Sequence, residues 1–175
     1  MLTLLLLRHA KSSWDDPGLA DYDRPLAKRG KKAAPEIGAA LAAKGLRPDL
    51  VLCSSAVRAR ETLELVLKAL GPPAPEVRYD EELYMAAPAI LIARLRKHMA
   101  DPASPQHVML VGHNPGFEEL ARMLAGSGGG DDCARLAEKF PTCSVAVIAF
   151  DADSWSAVEA GAGRLAHFLT PKHLA

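Results

Sequence analysis

Short apolar runs alternate along the chain with longer stretches in which apolar residues recur at helical spacing. Uninterrupted apolar runs of about five residues are typical of strands buried on both faces of a sheet. Such runs predict strands at Leu2–Leu7, Leu50–Cys53, Val108–Val111 and Val145–Phe150, and a weaker pattern predicts one at Arg164–Leu169.

In the segments between these runs, apolar residues recur at helical spacing. This spacing predicts helices near Lys28–Lys44 and Ala56–Leu70, each followed by a glycine that can stop a helix. A third helix is predicted over Pro88–Met99. A fourth is predicted to open at Asn114-Pro115, where a capping asparagine precedes a proline suited to the first turn.

The alternation of strands and helices predicts an α/β fold, a three-layer α/β/α sandwich around a mostly parallel central sheet. The length of 175 residues suits one domain, which we expect to span residues 1–175. The glycine-rich stretch Gly126–Gly130 lacks the lysine and hydroxyl of a phosphate-binding loop, and it predicts a flexible loop.

Charge gives no general reason to bind nucleic acid or an anionic membrane, because 21 Lys and Arg balance 21 Asp and Glu. The basic run Lys28–Lys32 is typical of a solvated helix face. The first apolar run is too short to span a membrane and lacks the marks of a secretory signal, so we expect a cytoplasmic protein.

Several catalytic classes fit the sequence poorly. The three cysteines have no CxxC spacing, and neither a Gly-x-Ser-x-Gly elbow nor a His-Glu-x-x-His zinc motif is present. A cysteine-dependent phosphatase needs an arginine six residues after its cysteine, but Ala59 stands there after Cys53 and Arg58 comes one residue early. We therefore expect neither a disulfide framework nor a structural zinc site.

Unusual polar groups follow three of the predicted strands. Arg8 and His9 end the first strand, Ser54-Ser55 lead from the second to Arg58, and His113 follows the third strand named above. Ligands of open α/β sheets bind beyond the carboxyl ends of the strands. We therefore expect two histidines and two arginines to converge at one edge of the sheet.

The helix after the second strand is predicted to carry two arginines on different faces. Arg60, Glu64 and Lys68 follow one another at intervals of four, which predicts a solvated face. Arg58 flanks the apolar stripe of the same helix and lies in its first turn. Arg58, but not Arg60, is therefore predicted to reach a ligand at the sheet edge.

This set of side chains suits a phosphoryl group. Guanidinium forks bind phosphate oxygens in bidentate fashion, and a histidine nitrogen can attack phosphorus and carry the phosphoryl group. The first strand would then act as a rigid arm that delivers Arg8 and His9 to the site.

The same residues resemble the motifs of the histidine phosphatase superfamily, whose fold is called phosphoglycerate mutase-like. That family carries RHG, RAxxT and GH in this order, and here they stand as RHA from Arg8, RARET from Arg58 and GHNP from Gly112. The short chain, the early stretch DYDRPLAKRG and the late FLTPKHL look most like the SixA-type phosphohistidine phosphatases.

The resemblance implies a role for each matching residue. His9 would be the nucleophile that is transiently phosphorylated, and Arg8, Arg58 and His113 would bind and stabilise the phosphoryl oxygens. No metal or other cofactor would be needed, because the cationic pocket would do the work that magnesium does elsewhere.

The stretch after His9 departs from the wider family. Ala10 replaces a glycine, Lys11 replaces a glutamate, and Asp15 stands where an asparagine often helps to hold phosphate. An ionised Asp15 would repel phosphate, so we expect it to turn away or to pair with a cation such as Lys11. Ser12 retains a hydroxyl that could contact the phosphate.

The general acid is the open part of the assignment. Larger members of the family place a glutamate between RAxxT and GH, and the candidates here are Asp80, Glu81 and Glu82. We favour Glu82, while all three could instead be solvated loop charges in a site without a protein acid.

The expected function is thus metal-independent phosphate removal through a phosphohistidine intermediate, acting on phosphohistidine of a partner protein. A phosphomonoesterase for small metabolites on the same fold and a non-catalytic phosphate-binding scaffold remain as alternatives.

Overall fold

The computed structural model describes residues 1–101 and 103–174 and contains a seven-stranded sheet and five α-helices within them. The strands are β1 (Leu2–Arg8), β2 (Leu50–Ser54), β3 (Glu76–Asp80), β4 (His107–Gly112), β5 (Ala125–Gly128), β6 (Val145–Phe150) and β7 (Gly163–Leu169). The helices are α1 (Lys28–Ala43), α2 (Val57–Leu70), α3 (Pro88–His98), α4 (Gly116–Leu124) and α5 (Gly130–Glu138).

The sheet has the strand order β3-β2-β4-β1-β6-β7-β5. Only β6 among the described strands runs against the others, since β1 pairs with it in antiparallel fashion and β7 does so on its other side. The remaining pairs are parallel. The predicted mostly parallel sheet is therefore confirmed, and the carboxyl ends of β1, β2 and β4 lie at one edge.

Two separate apolar cores flank the sheet, which confirms the three-layer arrangement. Alternate residues of β1 point to opposite faces, as the period of a strand requires. Leu4 and Leu6 pack with residues of α3 and α4, whereas Leu5 and Leu7 pack with residues of α1 and α2. Burial on both faces explains why Leu4–Leu7 of β1 are all apolar.

The sequence patterns missed three elements. Strand β3 lies at one edge of the sheet and is largely exposed, so it carries few apolar residues. The predicted loop Gly126–Gly130 is wrong, because β5 pairs with β7 at the other edge and α5 begins at Gly130. Glycine is needed within β5, since a Cβ on Gly126 would lie 1.8 Å from the carbonyl oxygen of Gly161.

The fourth predicted helix also begins later than its sequence suggests. Helix α4 starts at Gly116, so Pro115 precedes the helix rather than occupying its first turn. Asn114 still acts on the helix end, because its Oδ1 accepts a hydrogen bond from the Glu118 amide at 3.3 Å. No helix within the described residues is both long and apolar enough to cross a membrane.

Candidate active site

The parallel pairing of β1 and β4 brings the two strand-end histidines together. Arg8 pairs with Gly112 in the register of the sheet, and the amide of His9 donates to the Gly112 carbonyl at 3.0 Å. His9 and His113 therefore leave adjacent strands at the same level. Their ring centroids are 5.2 Å apart, so a single phosphoryl group could contact both rings.

His9 is held in one tautomer by the backbone. Its Nδ1 lies 2.7 Å from the carbonyl oxygen of Ala10, which can only accept, so Nδ1 carries the proton. The lone pair is thus on Nε2, which faces Arg58, whose Nε donates to it at 3.3 Å. A neutral imidazole with an unprotonated nitrogen can attack phosphorus, and the guanidinium beside that nitrogen can bind the phosphoryl oxygens.

Arg58 is fixed by the buried start of α2. Its side chain is 3% exposed, although an arginine is almost never buried without partners. The hydroxyl of Thr62 donates to the Arg58 carbonyl at 2.6 Å and accepts from the Ala10 amide at 2.9 Å. Thr62 therefore ties the first turn of α2 to the backbone that follows His9, and this explains the spacing within RARET.

The other arginine of this motif lies on the opposite side of the helix. Arg60, Glu64 and Lys68 are all exposed, as their spacing predicts. Arg60 stacks on the ring of Tyr79 at 5.9 Å rather than approaching the histidines.

His113 is oriented by Ser54 at the end of β2. Its Nε2 lies 2.7 Å from the Ser54 hydroxyl, and that hydroxyl also accepts from the Ala56 amide at 3.3 Å. The second ring nitrogen, Nδ1, is buried and has no hydrogen-bond partner among the described residues. A buried polar atom of this kind is costly unless a ligand satisfies it.

Arg8 supplies a second cation beside the pair. Its Nη1 donates to the carbonyl of Phe140 at 2.8 Å, which anchors the guanidinium to the segment before β6. Its Nε is buried and, like Nδ1 of His113, has no partner among the described residues. Two buried polar atoms without a hydrogen-bond partner thus lie in the same region of the structure, where an anion could bind both.

Both histidines are neutral near pH 7. Burial lowers the pKa of His9 to about 4, and the nearby charges of Arg58 and Arg8 act in the same direction. Burial lowers the pKa of His113 to about 3, with further contributions from His9 and Arg58. The uncharged state of His9 preserves the lone pair on Nε2 in the physiological range.

The carboxylate beside this cluster is Asp21, which the sequence analysis did not single out. Its Oδ2 accepts from Nη2 of Arg58 at 2.9 Å and from the Tyr84 hydroxyl, while Oδ1 accepts from Nη1 of Arg24 at 2.9 Å. The hydrogen bond from Tyr84 is the largest of the effects that lower the pKa of Asp21 to about 2. Asp21 is therefore ionised at neutral pH.

Tyr84 covers one side of the histidine pair. Its ring meets that of His113 edge-on, with centroids 5.2 Å apart, and also packs against Tyr22. A Cβ on Gly116 would lie 1.9 Å from the Ala86 carbonyl oxygen, so only glycine lets α4 approach the segment that carries Tyr84. The motif sequence GHNPG thus positions both His113 and the tyrosine beside it.

Comparisons with known proteins agree with this geometry. Residues 4–84 match the sequence profile described as the histidine phosphatase superfamily, branch 1. An uncharacterised protein of Mycobacterium tuberculosis (strain ATCC 25618 / H37Rv) is 42% identical over 168 residues, which cover 95% of this chain and 100% of that protein. A crystal structure from Agrobacterium tumefaciens, proposed to be the phosphohistidine phosphatase SixA, is 34% identical with a TM-score of 0.77, covering 97% of this chain and 98% of that one.

The chain belongs to the histidine phosphatase superfamily. A second structure proposed to be SixA, from Nakamurella multipartitia, is 28% identical with a TM-score of 0.78 and covers 97% of this chain and 96% of that one. The phosphoglycerate mutase-like fold is thereby confirmed, and the protein is a phosphatase.

The polar residues after the RHA motif of this phosphatase do not all face the histidines. Ser12 is buried, and its hydroxyl accepts from Nη2 of Arg24 at 2.6 Å, so Arg24 joins Ser12 to Asp21. Asp15 and Lys11 are both exposed, and no ion pair joins them within the described part of the chain. The expectation that Asp15 turns to solvent fits its exposure.

The structure does not bring Glu82, the favoured general acid, to the phosphatase site. Its side chain is 65% exposed and pairs at 3.3 Å with Nη1 of Arg94, a residue of α3. Asp80 is buried rather than solvated, because it binds Arg94 at 2.7 Å and His98 at 3.1 Å. Two of the three consecutive acids, Asp80 and Glu82, thus differ in burial, which no local sequence pattern reveals.

Cys53 is unsuited to the nucleophile role of a cysteine-dependent phosphatase. It is fully buried in the core under α2, and burial raises the pKa of its thiol far above neutrality. A thiolate is the reactive form of cysteine. Among residues 1–101 and 103–174, no three His, Cys, Asp or Glu side chains cluster in a way that could hold a metal ion.

Proposed function

We propose that this phosphatase removes the phosphoryl group from phosphohistidine on a partner protein, without a metal, through a phosphorylated His9. Residues 1–175 would form a single domain for this purpose, since all seven described strands belong to one sheet. Arg8, Arg58 and His113 would bind the phosphoryl oxygens, and Ser12 would contribute to binding mainly through Arg24.

In the first step, the lone pair on Nε2 of His9 attacks phosphorus as the bond from phosphorus to the substrate nitrogen breaks. The bonding electrons stay on the departing nitrogen. Since His113 is neutral and its Nε2 can accept the Ser54 proton, its Nδ1 would carry a hydrogen directed at a phosphoryl oxygen. Donors aimed at developing charge in a buried site typically contribute most of such stabilisation.

In the second step, water attacks the phosphorus of phospho-His9 and the bond to Nε2 breaks. The electrons return to Nε2, and both protons of the water leave with the released inorganic phosphate. The Ala10 carbonyl keeps the Nδ1 proton of His9 throughout both steps, so the nucleophile is regenerated in its starting tautomer.

One observation carries the choice of phosphohistidine: the carboxylate at the site is already ionised. The pKa of Asp21 is lowered to about 2, and Glu82 is paired with Arg94. An alkoxide leaving group needs a proton from a positioned acid, which typically contributes about 10² to 10⁴ in rate. A protonated phosphohistidine instead releases neutral imidazole, whose conjugate acid has a pKa near ~6.5.

The exposure of Asp21 favours a phosphohistidine displayed on a protein. Its side chain is 45% exposed although it binds Arg58 directly, so the cluster opens to solvent on this side. An imidazole presented by another protein can therefore approach without a lid having to open.

Hydrolysis of three substrates tests the proposal. A synthetic peptide carrying one phosphohistidine, p-nitrophenyl phosphate and glycerol phosphate should be compared by kcat/KM. We expect the phosphohistidine peptide to be preferred and the alkyl ester to be the slowest. A rapid quench should trap an acid-labile, base-stable phosphoryl group on the wild-type protein, and His9→Ala should abolish both the label and turnover.

Two results would overturn this function. A strong preference for glycerol phosphate over the peptide would indicate a phosphatase for small metabolites. Trapping of the label on a residue other than His9 would disprove the assigned nucleophile.

A further inference from the structure

A basic cleft lies beside the histidine pair at the same edge of the sheet. It has a volume of about 240 Å³ and lies between α1, α5 and the segments that flank β6 and β7. Its apolar floor includes Cys143, Phe168 and Pro171, and its cationic side chains are Lys11, Arg29, Arg135, Lys139 and Lys172.

Both walls of the cleft are hydrogen-bonded to the segment that carries His9. On one side, the Ala27 amide, just before the helix α1 that lines the cleft with Arg29, donates to the Lys11 carbonyl at 2.9 Å. On the other wall the Cys143 amide donates to the His9 carbonyl at 3.0 Å. A molecule lying in the cleft would therefore reach the backbone immediately beside the proposed nucleophile.

Most of the positive charge in the cleft is not neutralised by the protein. Arg135 pairs with Asp132, but Lys11, Arg29, Lys139 and Lys172 are exposed and take part in no ion pair within residues 1–101 and 103–174. Two acids moderate the charge. Glu138 lines the cleft, and Glu36 adds to the burial that raises the pKa of Cys143 to about 12.

The start of α1 holds cations where a helix disfavours them. The basic run Lys28–Lys32 occupies its first turns, no acid is present in the first turn, and Ala27 provides no side-chain cap. Cations near a helix N-terminus are opposed by the helix dipole. Of this run only Arg29 lines the cleft, so one of the cleft's cations is held at a position that the helix disfavours, as an anionic ligand would favour.

We propose that this basic cleft, defined by Lys11, Arg29, Lys139 and Lys172, binds an acidic segment of the phosphorylated protein next to its phosphohistidine. The inference rests on the proposed function and adds the surface that selects the partner. The four cations come from four separate segments of the chain, and they surround an apolar floor. This spread suits a peptide with several carboxylates and an apolar side chain better than one small anion, which needs convergent donors.

Two synthetic phosphohistidine peptides provide the test, one with glutamates and one with lysines on both sides of the phosphohistidine. We expect KM for the acidic peptide to be about tenfold lower, because charge complementarity favours its encounter and binding. The variant K139E/K172E should raise KM for the acidic peptide about tenfold and leave kcat/KM for p-nitrophenyl phosphate within about twofold.

The matched control is K68E/K97E, which changes the net charge equally on exposed residues of α2 and α3. It should change neither KM. Equal KM values for the two peptides, or equal effects of the two double variants, would overturn the inference.

Binding of the unphosphorylated peptides separates this inference from the proposed function. Fluorescence anisotropy should show that the wild type binds the labelled acidic peptide more tightly than the lysine peptide, and that K139E/K172E loses the difference. If neither phosphopeptide is hydrolysed while this difference persists, the proposed function fails and the cleft assignment stands. If the difference is absent, the cleft assignment fails whatever the phosphopeptides show.

Discussion

His9 combines burial, a fixed tautomer and a neighbouring cation, and each has a distinct consequence. Burial lowers its pKa to about 4, so protonation does not compete with attack near pH 7. The Ala10 carbonyl fixes the proton on Nδ1, and Arg58 faces the nitrogen that would carry phosphate. In the proposed mechanism, the RHA sequence would thus specify the nucleophile through its backbone as well as through its side chains.

At the residue scale, Arg58→Ala should damage catalysis far more than Arg60→Ala. Arg58 is buried against His9, and losing such a donor in a desolvated site costs about 2–4 kcal/mol, or roughly 10² to 10³ in rate. Arg60 is exposed, and an exposed charge contributes little. Steady-state kcat/KM with p-nitrophenyl phosphate measures both, and equal losses would refute the assigned helix face.

Asp21 should act as a positioning residue rather than as the general acid. Asp21→Asn keeps an acceptor oxygen but removes the charge that holds Arg58 and Tyr84, so kcat/KM should fall roughly tenfold for phosphohistidine and ester substrates alike. Because the pKa of Asp21 is about 2, this carboxyl is ionised throughout the alkaline range. The variant should therefore retain the alkaline side of the wild-type pH profile of kcat/KM.

Glu82→Gln serves as the matched control for this change. Its carboxylate is exposed and pairs with Arg94, so activity should stay within about twofold of the wild type. Loss of ester hydrolysis alone in Asp21→Asn would show that Asp21 donates a proton, and the same loss in Glu82→Gln would restore Glu82 as the acid.

At the scale of elements, one hydroxyl joins α2 to the backbone that follows β1. Thr62→Val preserves shape but leaves the buried Ala10 amide without its acceptor, which costs about 1–3 kcal/mol. The loss should appear as a lower denaturant midpoint together with reduced kcat, since Arg58 follows the same turn. Thr3→Val, on the half-buried side of β1, is the control and should leave both quantities nearly unchanged.

The elements that were predictable from sequence are those buried on two faces or carrying a clear stripe. Strand β1 is apolar at every position from Leu4 to Leu7 because both of its faces lie in a core there. Strands β3 and β5 lie at the two edges of the sheet, where an exposed face needs no apolar residues, so periodicity could not reveal them.

The residues of the site also fall into those that the sequence predicts and those that it does not. Arg8, His9, Arg58 and His113 follow strand ends, so their convergence could be inferred from the parallel sheet. Asp21 lies in a 3-10 helix of only three residues, Asp21–Asp23, and its partner Tyr84 is 63 residues away in sequence. Its place in the site depends on tertiary contacts that no local pattern encodes.

At the scale of the whole molecule, the two histidines couple the active site to stability. Their pKa values, about 4 and about 3, lie below the value near ~6.5 expected in the unfolded chain. The unfolded chain therefore binds more protons in this range. The stability that these two histidines contribute is fully present above pH ~6.5 and is lost as pH falls from there toward pH ~4.

As pH falls from 7 to 5, protonation of each of these histidines in the unfolded chain should lower the free energy of unfolding by about 2 kcal/mol. Urea titrations at several pH values measure this slope, and His9→Asn should reduce the loss between pH 7 and pH 5 by about 2 kcal/mol. A slope that is the same in wild type and His9→Asn would show that His9 is not kept neutral by the fold, which would also remove the basis for its nucleophilicity.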